Sequence, residues 1–175
     1  MAQDPSGMNE PSARSRRTVV AWSFVAVQAA LLIAFATTPR RGDWVLTSAV
    51  DIAAVAVIAV GLGVGLWAAL KLGRGLTPSP LPNGAVGLVT RGPYRWVRHP
   101  MYTAVMMIAA GVAIRSGSVV VIAEGLALVV LFNVKARWEE QRLIEAFPAY
   151  RDYRASTSRF VPTTLHGTRT GGDRV

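Results

Sequence analysis

The chain contains no cysteine and only two histidines, His99 and His166. Disulfides, thiolate zinc centres and cysteine nucleophiles are therefore excluded, and a histidine-rich metal site with them. No metal is expected. Charge is scarce too: Asp, Glu, Lys and Arg together make up 17% of 175 residues, against about 25% in ordinary soluble domains. Acidic residues are fewest, 10 against 19 Lys and Arg, which leaves a net charge of +9. Apolar residues are abundant at 51%, and the mean hydropathy is +0.34. A soluble globular domain is hard to reconcile with that balance. The basic excess could serve nucleic acid, an anionic membrane surface or an anionic ligand, and the placement of the charges decides between them.

Residues 1–17 are polar with no apolar period and read as a disordered tail. The first apolar run, Val19–Ala36, is long enough to cross the ~30 Å of hydrocarbon in a bilayer. Ala34-Phe35-Ala36 resembles a signal-peptidase site, but the apolar core of a signal peptide is normally about 7–15 residues. A retained transmembrane helix is the expectation. A second run, Val45–Leu70, is interrupted only by Asp51 and spans with tilt. Pro78, Pro80 and Pro82 then stop any helix, and residues 71–98 read as a long loop, of the kind that is usually functional or disordered. Two shorter runs, Met101–Ile114 and Val119–Val134, flank Arg115-Ser116-Gly117-Ser118 and read as a helical hairpin. An amphipathic helix is expected from Lys135 to Phe147, ending at Pro148, before a polar tail over 163–175.

The fold class expected is an all-α integral membrane protein with about four transmembrane helices and a cytosolic amphipathic C-terminal helix, one domain over 18–162. With both termini inside, 16 of the 19 basic residues lie on the cytoplasmic side and only Arg40, Arg41 and Arg115 outside. That asymmetry matches the positive-inside rule, so topology accounts for the net charge and a nucleic-acid partner is not needed. The location implied is a membrane, the bacterial inner membrane in this reading, with the lipid bilayer as first partner. Oligomeric state is not legible.

The polar segment with most chemical potential is Arg91-Gly92-Pro93-Tyr94-Arg95-Trp96-Val97-Arg98-His99-Pro100-Met101-Tyr102. Pro100 suits the first position of a helix, where its missing N–H costs nothing, and places His99 near the N-cap. A helix start beside Arg95 and Arg98 is an anion site, with Tyr94, Trp96 and Tyr102 available as a flat wall. The alternative is an interfacial belt of aromatic and arginine anchors. A second cluster is Glu139-Glu140. On a helical wheel with Leu143 at zero, Glu140 falls at about 60°, in the middle of the apolar face, and Glu139 at about −40°, on its flank. A carboxylate centred on an apolar face must meet a cation or a ligand. Arg98 or Arg95 is the expected partner, as a structural clamp, a ligand site, or both.

The run Gly92-Pro93-Tyr94-Arg95-Trp96-Val97-Arg98-His99-Pro100-Met101-Tyr102, followed by Glu139-Glu140, Leu143, Phe147, Tyr150, Tyr153, Arg159 and Pro162, resembles the isoprenylcysteine carboxyl methyltransferase family. That family sits in a larger group of membrane methyltransferases that includes phospholipid N-methyltransferases. The likeness extends from about Leu72 to Pro162, roughly half of the chain. It implies S-adenosylmethionine on the cytosolic side, bound within 72–162 by Tyr94, Arg98, His99, Pro100, Tyr102, Glu139 and Glu140. His99, Glu140 and Arg98 would be the catalytic group, and Arg95, Tyr150, Tyr153 and Arg159 would meet a lipophilic or prenylated acceptor, a carboxylate above all. One departure is Ala104, where many members carry glycine, which questions close backbone approach there.

Two rival classes remain: a nicotinamide-dependent membrane reductase of sterol-reductase type, argued against by the small size, and a non-enzymatic membrane scaffold. The glycines Gly61, Gly63 and Gly65 follow no strand and lie inside an apolar run, so they are read as helix-packing residues and not as a nucleotide loop. Asp51 and Glu124 are acids within apolar runs, expected near the outer interface or hydrogen-bonded to Ser, Thr or Arg115. His166, in the tail, is expected to be solvated.

Overall fold

A computed structural model describes residues 10–40, 42–73 and 88–162. The tails 1–9 and 163–175 and the proline-rich part of the long loop, 74–87, lie outside the described residues. The helices are α1 (Glu10–Thr37), α2 (Ser48–Leu72), α3 (Pro100–Ser116), α4 (Val119–Ala146) and α5 (Tyr150–Ser156), with a 3-10 turn over Gly92–Arg95. No strand occurs among the described residues; a single parallel bridge pairs Val97 with Ser158.

Three helices are long and apolar enough to cross a membrane: α1 over Ser15–Thr37, α2, and α4. The apolar α3 has 17 residues, about 25 Å of helix. Large apolar side chains stay exposed along these helices, among them Trp22, Val27, Ile33, Val60, Leu66, Leu126 and Val130. In water such a surface would be a liability; in hydrocarbon it is the lipid-facing side. The chain is an all-α membrane protein.

Two boundaries differ from those expected from sequence. Helix α1 begins at Glu10, inside the stretch read as a disordered tail, because a span that is already helical extends upstream at the low cost of propagation through formers such as Arg16 and Arg17. The amphipathic helix expected from Lys135 is the continuation of α4, since no Gly or Pro interrupts the chain before Pro148; polarity changes there but backbone preference does not. Beyond Pro148, α5 adds a short helix for which no expectation stood.

Polar contacts at the two ends define the topology. At one end Arg17 Nη1 meets Glu145 Oε2 at 3.3 Å, so the start of α1 lies beside the end of α4. At the other end Thr38 donates to Glu124 Oε1 at 2.6 Å and Arg115 Nε to Asp51 Oδ1 at 2.6 Å. The two intramembrane acids thus have the Thr and Arg115 partners expected of them. The helices alternate in direction, with both described ends of the chain on the side of the histidine segment. Gly117, in the left-handed conformation at φ 60°, closes the α3–α4 hairpin.

The α2–α3 pair is the most extensive contact, and small residues make it possible. A Cβ on Gly61 would lie 3.1 Å from the Ala104 carbonyl oxygen, and one on Gly65 would lie 3.2 Å from the Ala104 Cβ; Gly63 faces open space. The glycine run therefore packs helices, and Ala104 faces α2, away from the histidine segment's own partners. The tightest approach is at Gly111, where a Cβ would come within 2.5 Å of Ile58 Cγ1 and 2.7 Å of the Ala54 carbonyl oxygen. Gly111→Ala is expected to lose about 1–3 kcal/mol through overpacking, whereas Gly63→Ala should lose nothing. Thermal unfolding in detergent compares the two, and equal melting temperatures would contradict the close approach.

Candidate functional site

The site forms where the start of α3, the polar end of α4 and the segment after α5 converge. Pro100 is the first residue of α3 and His99 its N-cap, as its sequence position requires. The chain just before it is held by backbone bonds from the far C-terminal segment: Arg98 N–H donates to the Ser158 carbonyl at 2.8 Å and His99 N–H to the Arg159 carbonyl at 3.1 Å. Thr103 Oγ1 adds a bond to the Phe160 carbonyl at 2.9 Å. The C-terminal segment thus lies along the histidine segment as a third wall.

Glu140 is the centre of the charge network and only 2% exposed. Arg98 Nε donates to its Oε1 at 3.1 Å; Arg159 donates from Nε to Oε1 at 3.0 Å and from Nη2 to Oε2 at 2.9 Å. His99 Nε2 lies 3.2 Å from the same Oε1. Arg98 also donates through Nη1 to the carbonyls of Arg154 (2.9 Å) and Thr157. One carboxylate therefore answers two guanidiniums and an imidazole, in an arrangement that burial tolerates only because every member is paired. The Glu–Arg clamp expected from the helical wheel exists, with Arg159 as a second jaw. The hydrogen bond to Glu140 pushes the Arg159 guanidinium further up.

Glu139 behaves differently. Its side chain keeps 23% of its surface. Its Oε2 accepts from the Tyr102 hydroxyl at 2.9 Å and stands 3.7 Å from His99 Nδ1, while its Oε1 has no hydrogen-bond partner among the described residues. Tyr102 stacks on His99 with ring centroids 5.2 Å apart and 3° between planes, and on Phe132 at 4.8 Å. The tyrosine ring is thereby held by two aromatic neighbours, and its hydroxyl is aimed at Glu139.

Tyr150, 1% exposed, has a buried hydroxyl with no hydrogen-bond partner among the described residues. Burial, reinforced by the charge of Glu140, pushes its phenol well above the ordinary value. Tyr153 packs edge-on to Tyr150 and donates its hydroxyl to the Tyr94 carbonyl, tying α5 to the 3-10 turn. Tyr94 is itself buried, and desolvation, followed by the Glu139 charge, pushes its phenol up to about 12.

Of the residues singled out from sequence, Arg98, His99, Pro100, Tyr102, Glu139, Glu140 and Arg159 converge directly, and Tyr94, Tyr150 and Tyr153 enclose them. Arg95 does not join: it is exposed and stacks on Trp96 with its guanidinium 5.0 Å from the ring. Trp96 in turn meets Trp67 edge-on at 5.4 Å, so this pair behaves as the interfacial belt and not as a site wall. Sequence reasoning missed Lys135 and Gln28. Lys135 is 2% exposed, donates from Nζ to Gln28 Oε1 at 2.6 Å, and stands 5.4 Å from the centre of the Tyr102 ring. The signal available was a lysine four residues ahead of Glu139 at the end of an apolar run.

The chain is 28% identical over 149 residues to the cobalt-zinc-cadmium resistance protein CzcN of Cupriavidus metallidurans, covering 85% of this chain and 65% of that one. It is likewise 28% identical over 152 residues to the nickel-cobalt-cadmium resistance protein NccN of Alcaligenes xylosoxydans xylosoxydans, covering 85% and 66%. The chain thus spans just under two thirds of the length of either curated relative. The family model for phospholipid methyltransferases matches residues 50–149, from α2 through the two glutamates. The chain belongs to the phospholipid methyltransferase family, within the isoprenylcysteine carboxyl methyltransferase-like superfamily of membrane methyltransferases.

Proposed function

We propose that this protein is an S-adenosylmethionine-dependent methyltransferase of the isoprenylcysteine carboxyl O-methyltransferase type, acting on a lipid-like or prenylated acceptor whose carboxylate receives the methyl group. It would work in the bacterial inner membrane with both termini and the site on the cytoplasmic face, the orientation favoured by the distribution of basic residues. The observation that carries the reading is the meeting of Arg98-His99-Pro100-Met101-Tyr102 with Glu139 and Glu140, on residues that the family match includes.

The donor set suits the cofactor. Among the described residues, Glu139 offers a carboxylate oxygen without a hydrogen-bond partner, and Tyr150 a buried hydroxyl without one. Glu139 and Tyr102 would hold the cofactor's cationic amino-acid end, with His99 and Tyr94 completing the pocket. When bound, S-adenosylmethionine supplies an activated methyl group on a sulfonium centre. The protein's part is then positioning and exclusion of water. Glu140, locked by Arg98 and Arg159, fixes the His99 ring; Tyr150 and Tyr153 cover the site from α5. A carboxylate acceptor needs no base. A thiol or amine would have to lose a proton, for which His99 Nδ1, 3.7 Å from Glu139, is the group in place.

Titration of the detergent-purified protein with S-adenosylhomocysteine and, separately, with NADPH tests the reading. Saturable binding of the first and none of the second is expected. Binding of NADPH alone, or of neither, would overturn it.

A further inference from the structure

Arg98 and Arg159 are fully engaged by Glu140. One buried cation at the site is not so engaged. Lys135 is 2% exposed, yet its ammonium, which carries three donors, has a single hydrogen-bond acceptor among the described residues, Gln28 Oε1 at 2.6 Å. No described carboxylate comes within ion-pair distance, and the other neighbour is the face of the Tyr102 ring. The charge of Glu139, one turn on, reaches it through space without forming an ion pair, so two of its three donors have no described acceptor, and burying an ammonium so poorly supplied is costly.

The position narrows the choice of anion. Lys135 and Glu139 are an i,i+4 pair on one face of α4, yet the ammonium bonds across to Gln28 of α1 and not to that carboxylate. Gln28, which receives it, lies in the middle of the apolar run of α1. The ammonium is therefore on the membrane side of the Tyr102 ring. A water-soluble cofactor enters from the polar side, past Glu139 and α5; an anion that reaches Lys135 must come on an apolar chain through the bilayer.

We infer that Lys135, oriented by Gln28, binds the anionic oxygen group, carboxylate or phosphate, of a lipid-borne acceptor. The inference rests on the methyltransferase reading and deepens it: it assigns the acceptor's charged end to a named cation and makes α1, which lies outside the residues matched to the family, part of the site. It also gives the acceptor an orientation, with the anion held beside Tyr102 and the apolar tail among α1, α3 and α4.

The test uses the full-length protein in detergent and four probes: hexadecanoate, hexadecyl phosphate, methyl hexadecanoate and S-adenosylhomocysteine. Wild type should bind the carboxylate or the phosphate at least about tenfold more tightly than the uncharged ester, and the stronger of the two names the source. Lys135→Met should abolish that preference while S-adenosylhomocysteine affinity stays within about threefold, and Lys135→Arg should restore it. Gln28→Leu should weaken the preference without removing it. The inference is overturned if wild type binds ester and acid equally, if Lys135→Met leaves the preference intact, or if it loses S-adenosylhomocysteine instead, in which case the anion is the cofactor's own carboxylate. Absence of S-adenosylhomocysteine binding by wild type sinks the methyltransferase reading and leaves the acid-over-ester preference to be judged by itself.

Discussion

Replacing Glu140 by alanine is expected to be the most damaging single change in the chain, at about 3–5 kcal/mol. The magnitude follows from what is left behind. Arg98 would keep its carbonyl contacts but lose its counter-charge, Arg159 would lose both of its hydrogen bonds to the carboxylate, and His99 Nε2 would face a void. Removing one partner of a buried ion pair costs far more than the pair itself contributes, because the remaining charges stay desolvated. Physically, the segment after α5 should detach, since Arg159 and the backbone bonds to Arg98 and His99 hold it to the start of α3. Limited proteolysis in detergent should then cut between Phe147 and Pro162 far faster than in wild type, together with a lower melting temperature. Unchanged proteolysis and melting would show that Glu140 does not clamp this end of the bundle.

Glu139→Gln should have the opposite signature. Glu139 is not part of the arginine clamp; its contacts are the Tyr102 hydroxyl and, at 3.7 Å, His99 Nδ1. A glutamine keeps the shape and can still accept from Tyr102, so stability should change by less than about 1 kcal/mol. What is lost is a charge facing the place where the cofactor's cation would lie. Breaking a buried charge-assisted contact of that kind costs about 2–5 kcal/mol of binding, so S-adenosylhomocysteine affinity should fall by at least about thirtyfold. Isothermal titration measures it directly. If the variant binds as wild type does, Glu139 is not the cofactor's partner. The adjacent glutamates are thus expected to separate folding from binding, one residue apart on one helix.

The two roles follow from how α4 is covered. Glu140 points at α3's start and the returning C-terminal segment, where two guanidiniums and an imidazole converge. Glu139 points along the flank, where among the described residues a tyrosine hydroxyl and a histidine edge meet it and the Lys135 charge reaches it. The same carboxylate chemistry therefore serves as a structural hub in one position and as an open acceptor in the next.

Much of the site was legible in the residues. Pro100 marks a helix start because its ring is compatible only with the first turn, and the structure has it there. The helical wheel singles out Glu140 as the inward acid because a carboxylate at the centre of an apolar face has to be buried. Arg98 as its partner follows from topology, which brings both to one end of the bundle. The glycine run reads as a packing surface from composition alone, and Gly61 and Gly65 do lie against α3.

Other residues were not legible, for identifiable reasons. Arg159 was assigned to an acceptor because nothing local says that its chain segment returns to bridge Val97; that contact joins residues far apart in sequence. Arg95 was expected beside an anion site; which side of the 3-10 turn it leaves is set by packing, and it leaves toward Trp96. Lys135 falls at about −80° on the same wheel, away from the apolar face, and entered the sequence analysis only as the first residue of an amphipathic helix. A wheel assumes one buried face. Helix α4 has two, one against α3 and one against α1, and only the tertiary arrangement puts Gln28 opposite that lysine.

The sequence by itself determined the membrane class, the number and approximate limits of the apolar helices, the helix start at Pro100 and the inward glutamate. All of these depend on local hydropathy, backbone restriction and the price of burying one charge. The tertiary structure alone decided which cations answer Glu140, that Glu139 keeps an open oxygen, and that a lysine is buried against α1. Those outcomes depend on which helix faces meet, and that is settled by close packing at glycines and by long-range backbone pairing, neither of which a one-dimensional pattern encodes.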